Sequence, residues 1–491
     1  MKKSTSPLYK GLTAIVIVLS LLSTAAYAQD GPALPAGLSG SQSEKEAPPA
    51  LPSGLGSGTG DSNDAPTLPS GLESSAPAVS EKSDTPPDAE PWMDITGFLE
   101  VRGGYRLQND KYQKDTSIGE SRLQLEMEKL WSGFSFNVTT DLYYDWVDQN
   151  HSVDLERGEG FLDLREANAA YSFDFVDIKV GRQILTWGTG DLVFINDLFP
   201  KDWQSFLLGR NTEYLKAPSD AVKASFFMDI ADIDVVYTPR FDSDRHITGE
   251  RLSYWNGSRI AGNDDIIRTD KPDDWFDDDE WAIRASKNVS GYELAAYGYW
   301  GYWKSPAGFD MATSKYTFPK LNVYGASVRG QVGKGIGNIE IGYYDSLDDT
   351  AGDDPLTNNS QMQYLVGYEQ DLPKIASDFT VGLQYYVEQM LDYGAYKRTL
   401  PTGSKAADEY RHLLTLRLTK LYWNQNLTCS LFTFYSPSDE DGYLRPNIHY
   451  KVNDNLAVEA GGNVFWGDEP HTFFGQFEDN TSLYSAIRYS F

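Results

Sequence analysis

The sequence predicts an all-β fold: a transmembrane, antiparallel, up-and-down β-barrel of about 18 strands, with about 16 as the alternative count, behind a disordered tether rich in Pro, Gly and Ser. Three observations predict it. Apolar and polar residues alternate with period two over runs longer than ordinary soluble strands. Short and long connections alternate along the chain from Met93 onward. The last such run ends on Phe491, with apolar residues at alternate positions before it.

The first residues stand apart from that pattern. Lys2, Lys3 and Lys10 precede an apolar run from Leu12 to Leu22, and Ala26-Tyr27-Ala28 follows. A basic start, a short apolar stretch and a small-x-small site define a secretory signal peptide, residues 1–28, cut after Ala28. The apolar run is far below the roughly 20 residues a spanning helix needs. Residues 29–92 are poor in aromatics and rich in Pro, Gly, Ser and acids, so they bury too little apolar area to offset ordering and are expected to be disordered. Within them Leu34-Pro35-Ala36-Gly37-Leu38 recurs from Leu51-Pro52 and from Leu68-Pro69. The repeat is either a duplicated tether without a partner or a multivalent motif, three weak copies raising avidity for a periplasmic or cell-wall partner.

Residues 93–491 form the predicted barrel. Phe379, Val381, Leu383, Tyr385 and Val387 alternate with Thr380, Gly382, Gln384, Tyr386 and Glu388. Leu456 to Trp466 repeats the pattern, as does Ile95 to Tyr105 against Glu100, Arg102 and Arg106. Such alternation gives a strand one apolar and one polar face, and the run lengths suit a tilted crossing of a bilayer. Short links near 131–133, 174–175, 229–231, 288–290, 333–337, 371–373, 423–424 and 453–455 separate longer polar ones near 108–118, 146–160, 189–219, 242–279, 304–319, 348–359, 392–408, 437–441 and 467–479. A membrane barrel alternates tight turns at one end with long loops at the other.

Composition excludes other classes. With 42 basic and 71 acidic residues the net charge is −29, unsuited to nucleic-acid phosphates. Cys429 is the only cysteine, so no disulfide framework or thiolate metal cluster exists. Aromatics make up 13%, as the girdles of membrane barrels require. Mean hydropathy is negative, as expected where lipid-facing and lumen-facing residues average out.

The run Leu483 to Phe491, with Ile487, Tyr489 and Phe491 on one face, resembles the C-terminal signature of Gram-negative outer-membrane barrels, the porins among them. That resemblance implies an assembly signal read by the barrel-assembly machinery, a home among outer-membrane lipid and lipopolysaccharide, and a tether in the periplasm. Val180-Gly181-Arg182-Gln183, Trp187-Gly188, Asn196-Asp197 and Pro200 resemble the "GRQ…WG" segment of alginate-export-type barrels. Arg182 shares parity with Ile178 and Val180, which face lipid in this register. An Arg at mid-membrane on that face costs about 2–4 kcal/mol. Either a bulge at Gly181 turns Arg182 inward or this strand is inverted, and the bulge is the favoured reading.

Parity assigns lumen residues of both signs: Glu100, Arg102, Arg106, Arg122, Glu126, Glu128, Asp141, Lys179, Arg182, Arg284, Glu369, Gln384, Glu388, Arg417, Glu459 and Arg488. Such charges either select solutes through a transverse field or merely hydrate the lumen. The link 189–219 is unusually apolar for a loop, so it is expected to fold into the barrel as a constriction bordered by Asp191, Asp197, Asp202, Trp203 and Arg210. The acidic link 242–279 carries Asp277, Asp278 and Asp279, which suit either plain solvation or a Ca²⁺ ion. No other cofactor is implied. The five histidines and the missing G-x-S-x-G and H-E-x-x-H motifs argue against an enzyme. The expectation is a porin-like channel for passive diffusion of small hydrophilic solutes. The alternatives are a barrel dedicated to an acidic polysaccharide or other polymer, and a structural barrel tethered to a periplasmic partner.

Overall fold

Period-two alternation becomes a closed ring of strands. The computed structural model describes residues 93–148, 152–401 and 406–491. The expected signal peptide with Ala26 and Ala28, and the tether with its repeats, lie outside the described residues, as does His151. In chain order the first nine strands are β1 (Asp94–Arg106), β2 (Thr116–Trp131), β3 (Phe134–Asp145), β4 (Leu162–Ser172), β5 (Val176–Ile184), β6 (Pro218–Phe227), β7 (Asp232–Thr238), β8 (Glu280–Val289) and β9 (Tyr292–Tyr302). The rest are β10 (Lys320–Val332), β11 (Gly335–Ser346), β12 (Gln361–Asp371), β13 (Phe379–Met390), β14 (Tyr410–Tyr422), β15 (Leu427–Ser436), β16 (Asp441–Lys451), β17 (Leu456–Gly467) and β18 (Ser482–Ser490). Each pairs antiparallel with the next. β1 also pairs with β18, from Phe98↔Ser490 to Arg106↔Ser482, so the 18-stranded sheet closes on itself and leaves no edge. The count is 18, and the alternative of 16 is set aside.

Eight links lie at one end of the barrel, the turn end, and nine at the other, the loop end. Two turns show why the former are tight. Ser132 and Gly133, then Ser290 and Gly291, all have positive φ, the geometry of a two-residue turn that follows the strand twist. The expected contrast in length fails in one place. The loop-end link 437–440 is shorter than the turn-end link 372–378. It stays short because Arg411 Nε donates to Asp439 Oδ2 at 2.7 Å and Asp439 N to Ser436 Oγ at 3.2 Å, folding it onto β14.

The outer face is apolar. Leu99, Val101, Val180, Ile339, Val366, Leu383 and Ile487 are all about half exposed or more on it. Aromatics collect at its margins: Trp131, Phe134, Phe175 and Trp423 toward the turn end, Tyr105, Tyr144, Trp281 and Tyr324 toward the loop end. An exposed apolar belt between two aromatic girdles is what a bilayer-spanning barrel presents to lipid. The buried core lies inside the ring. Ile195, Phe199, Phe206, Leu207, Leu208 and Leu215 pack there against inward side chains of the wall, including Leu321, Val323, Tyr344, Leu365, Phe434 and Tyr443.

Candidate functional site: the barrel interior

Inward positions on the wall carry charge, and opposite charges face one another across neighbouring strands. On β1, Arg102 donates to Glu100 at 3.0 Å and to Glu459 of β17 at 2.8 Å, and is fully buried. Arg488 of β18 donates to Glu100 at 2.9 Å and reaches Glu213 of the inserted link at 3.0 Å. Arg122 pairs with Asp141, which also accepts from Gln124 at 2.8 Å. Lys179 faces Glu166 at 3.6 Å, and Arg284 lies between Asp234 and Glu293. Glu388 accepts from Tyr386 at 3.0 Å. Glu126 and Glu128 sit further toward the turn end on β2, and Glu369 stands on β12 near Asp191 and Arg417. Buried charge is tolerated where it is paired and hydrogen-bonded, which is the rule along this wall.

The link 185–217 crosses the bore. Its entry is held on β11, where Glu340 accepts from Gly190 N at 2.7 Å and Asn196 Nδ2 at 2.9 Å, and also from Thr189. Asp191 pairs with Arg417 of β14, and its backbone N donates to Gln384 of β13 at 2.6 Å. A short helix follows, α1 (Trp203–Leu208), N-capped by Asp202, whose carboxylate accepts from Ser205 N at 2.7 Å, and stopped at Gly209 with φ +90°. Its Phe206 packs edge-on to Phe434 and Tyr443 on the wall. Past α1, Arg210 Nη2 meets Glu120 of β2 at 2.9 Å, and Gly209 O accepts from Arg102 at 2.8 Å. β2 and β11 are nine places apart in a ring of 18, so the link spans the full diameter.

The border residues expected from sequence divide. Asp191 and Arg210 tie the link to opposite walls. Asp197 and Asp202 do not line open space. Asp197 pairs with Lys201 at 3.0 Å and accepts from Thr186 at 2.8 Å, while Asp202 caps α1 and lies 3.5 Å from Arg245. Their reason is local: an apolar segment that turns twice inside a barrel needs acceptors for its own backbone and cations. Trp203 Nε1 donates to Asp244 at 3.1 Å, joining this link to the next long one.

That second long link also enters the loop end, which its acidity did not suggest. Arg245 forks onto Asp163 at 2.8 and 2.9 Å, Arg251 pairs with Asp145, and Leu252 is buried. Asp242 accepts from Ser219 Oγ and Asp220 N, both at 2.9 Å, and burial pushes its carboxyl up to about 6. The acidic run further on does not converge on an ion. Asp278 accepts from Tyr302 at 2.7 Å and Asp274 N at 3.0 Å, Asp279 from Trp281 at 3.3 Å, and among the described residues no group of three or more ligating side chains could hold a metal.

Arg182 corrects the sequence reading. Pairing through β5 is continuous on both sides, so no bulge sits at Gly181, although its φ is +117°. The irregularity lies instead in β4, opposite Thr139 and Thr140, where Arg165 is left out of the pairing. Arg182 keeps the parity of Val180. It is buried because Asp220 pairs with it at 3.0 Å, Leu164 O accepts from it at 2.6 Å, and Leu155 of the loop-end link also accepts from it. Its place two residues from the loop end of β5 spares it the mid-membrane cost. Glu120 and Glu340, the acceptors that hold the inserted link, escaped the sequence reading. Glu120 shares parity with Arg122, and that signal would have found it.

No protein-family profile matches the chain, and no curated protein matches it. Among solved structures the chain is similar to OccAB3 of Acinetobacter baumannii, with 11% identity and a TM-score of 0.47, over 81% of this chain and 99% of that one. It is similar to OccK11 (OpdR) of Pseudomonas aeruginosa at 8% identity and 0.47, over 81% and 95%. The outer membrane channel DcaP of Acinetobacter baumannii follows at 11% and 0.40, over 81% and 97%. Likenesses this remote carry neither solute nor mechanism across. This chain's own geometry defines its class: a porin-like, 18-stranded β-barrel with an apolar outer belt, a charged inner wall and a link threaded through its bore.

Proposed function

We propose that the protein is an outer-membrane channel for passive diffusion of small hydrophilic solutes, narrowed by the link 185–217. The observation that carries this reading is the link's span from Glu340 to Glu120. A bore lined by ion pairs and crossed by a packed segment admits small polar solutes and restrains long polymers. In this reading the inward charges, with Glu126, Glu128, Glu369, Glu388 and Arg417 among them, line the route. Ile487 and Tyr489 on the outer face of β18, with Phe491 directly after it, serve assembly. The tether belongs to the periplasm, where both barrel ends also lie.

Reconstituting residues 29–491 in a planar bilayer under a salt gradient tests the proposal. Discrete current steps are expected, of lower conductance than in a variant with 189–209 deleted. A silent bilayer, with folding established by heat-modifiable gel mobility, would overturn it. Block by an acidic oligosaccharide at concentrations where its monomer does nothing would move the reading to a polymer-specific barrel.

A further inference from the structure

At the loop end, away from the inserted link, lies a cavity of about 380 Å³. Arg106, Lys114 and Arg251 form one side of it. In a chain of net charge −29, cations are expected to be paired. Among the described residues neither Arg106 nor Lys114 has a carboxylate within salt-bridge distance. Arg106 donates to backbone oxygens of Lys114, Thr116 and Arg251, and its Nε to Asn480 Oδ1 at 3.4 Å. Lys114 Nζ donates to Val147 O. Arg251 has Asp145 as its one carboxylate, and its Nε is buried without a hydrogen-bond partner. Asp148 and Glu250 also line the cavity, Glu250 paired with Arg157, but Arg106 and Lys114 are held by neutral acceptors alone and leave positive charge for an oxyanion, which guanidinium and ammonium groups bind with short, charge-assisted hydrogen bonds.

The other side is different chemistry. The amide of Asn263 uses its nitrogen on Gln113 Oε1 at 3.0 Å and Tyr112 O at 3.3 Å, and no described residue donates to its oxygen. Glu250 uses Oε2 on Arg157 and Thr248. Amide and carboxylate oxygens left over in this way accept from hydroxyl groups. Val147 and Ile266 add a small apolar surface. The volume is that of a compact ligand at the small end of the usual pocket range.

We infer that this cavity is a binding site for an anionic monosaccharide, its oxyanion on Arg106, Lys114 and Arg251 and its hydroxyls on Asn263 and Glu250. Phosphate and carboxylate share this chemistry. The site lies at the mouth of the bore and concentrates solute there, and it does not depend on conduction.

Titration calorimetry of the folded full chain in detergent tests it, with glucose 6-phosphate, glucuronate, glucose and inorganic phosphate as probes. Glucose 6-phosphate or glucuronate is expected to bind at least tenfold more tightly than glucose, and the stronger of the two identifies the oxyanion. Lys114 is exposed, so Lys114→Gln is expected to fold and to weaken that binding about tenfold, the loss of one charge-assisted contact. Lys334→Gln at the turn end is the control and leaves it unchanged. Asn263→Ala weakens the sugar anion but not inorganic phosphate. Equal binding of glucose and its anionic forms, or no effect of Lys114→Gln, would overturn the inference. A silent bilayer with this binding intact would overturn the channel reading alone.

Discussion

Asp191 and Arg417 carry one of the more exposed ties that hold the inserted link. At 28% and 18% side-chain exposure the pair is screened by solvent, so its contribution is about 1 kcal/mol. Asp191→Asn should raise the rate at which an added protease cuts the link about fivefold, with barrel folding unchanged. Asp242 sets a pH dependence. Burial raises its carboxyl to about 6, against Glu280 nearby and with Lys304 in opposition. The folded state therefore favours the protonated acid. That contribution is complete below the ordinary value near 3.8 and is lost as pH rises through about 6. Asp242 should make the protein more stable at pH 5 than at pH 7 by about 1 kcal/mol in thermal unfolding, and Asp242→Asn should remove that share of the difference. An unchanged pH profile in that variant would refute the assignment. At this scale the sequence was legible where a charge sat in a regular strand. Arg102, Arg122 and Arg488 follow from parity alone. Arg182 did not, because its neighbours in space, Asp220 and the Leu155 carbonyl, come from a different strand and a loop.

The link 185–217 is the element whose packing matters most. Phe206 is nearly fully buried between wall aromatics, so Phe206→Ala should cost the docked link about 3–5 kcal/mol. Phe276, exposed at the loop end, is the matched control. Single-channel recording should show larger and noisier currents for Phe206→Ala and wild-type currents for Phe276→Ala. The apolar content of this link announced its burial before any coordinates. The link 239–279 gave no such signal. Its buried stretch is held by Arg245 and Arg251 on wall carboxylates, and a polar segment buried by ion pairs reads in sequence like one in water. Strand number was legible for a different reason: every crossing of the bilayer needs its own alternating run, and each run is punctuated by a turn.

For the whole molecule the two faces of the wall differ in what they tolerate. Val366 stands half exposed on the outer face of β12. Val366→Arg should lower stability in a lipid-bilayer denaturant titration by about 2–4 kcal/mol, while Val366→Leu should be neutral. Equal midpoints would mean that this face does not meet hydrocarbon. Closure of the ring was implied by an even strand count and both ends at the turn end, but its register, Phe98 against Ser490, was not. No local pattern relates residues so far apart in sequence.

A ring of 18 strands is a hoop, and hoops yield easily to squeezing. Here one diameter is fitted with a strut, from Glu340 on β11 to Glu120 on β2. The same link leaves β5 and returns to β6, and its Phe206 packs on Phe434 of β15 and Tyr443 of β16, so the diameter at right angles is filled as well. Lateral pressure from the surrounding bilayer then meets packed side chains along both diameters, and the load falls on the link as well as on the sheet.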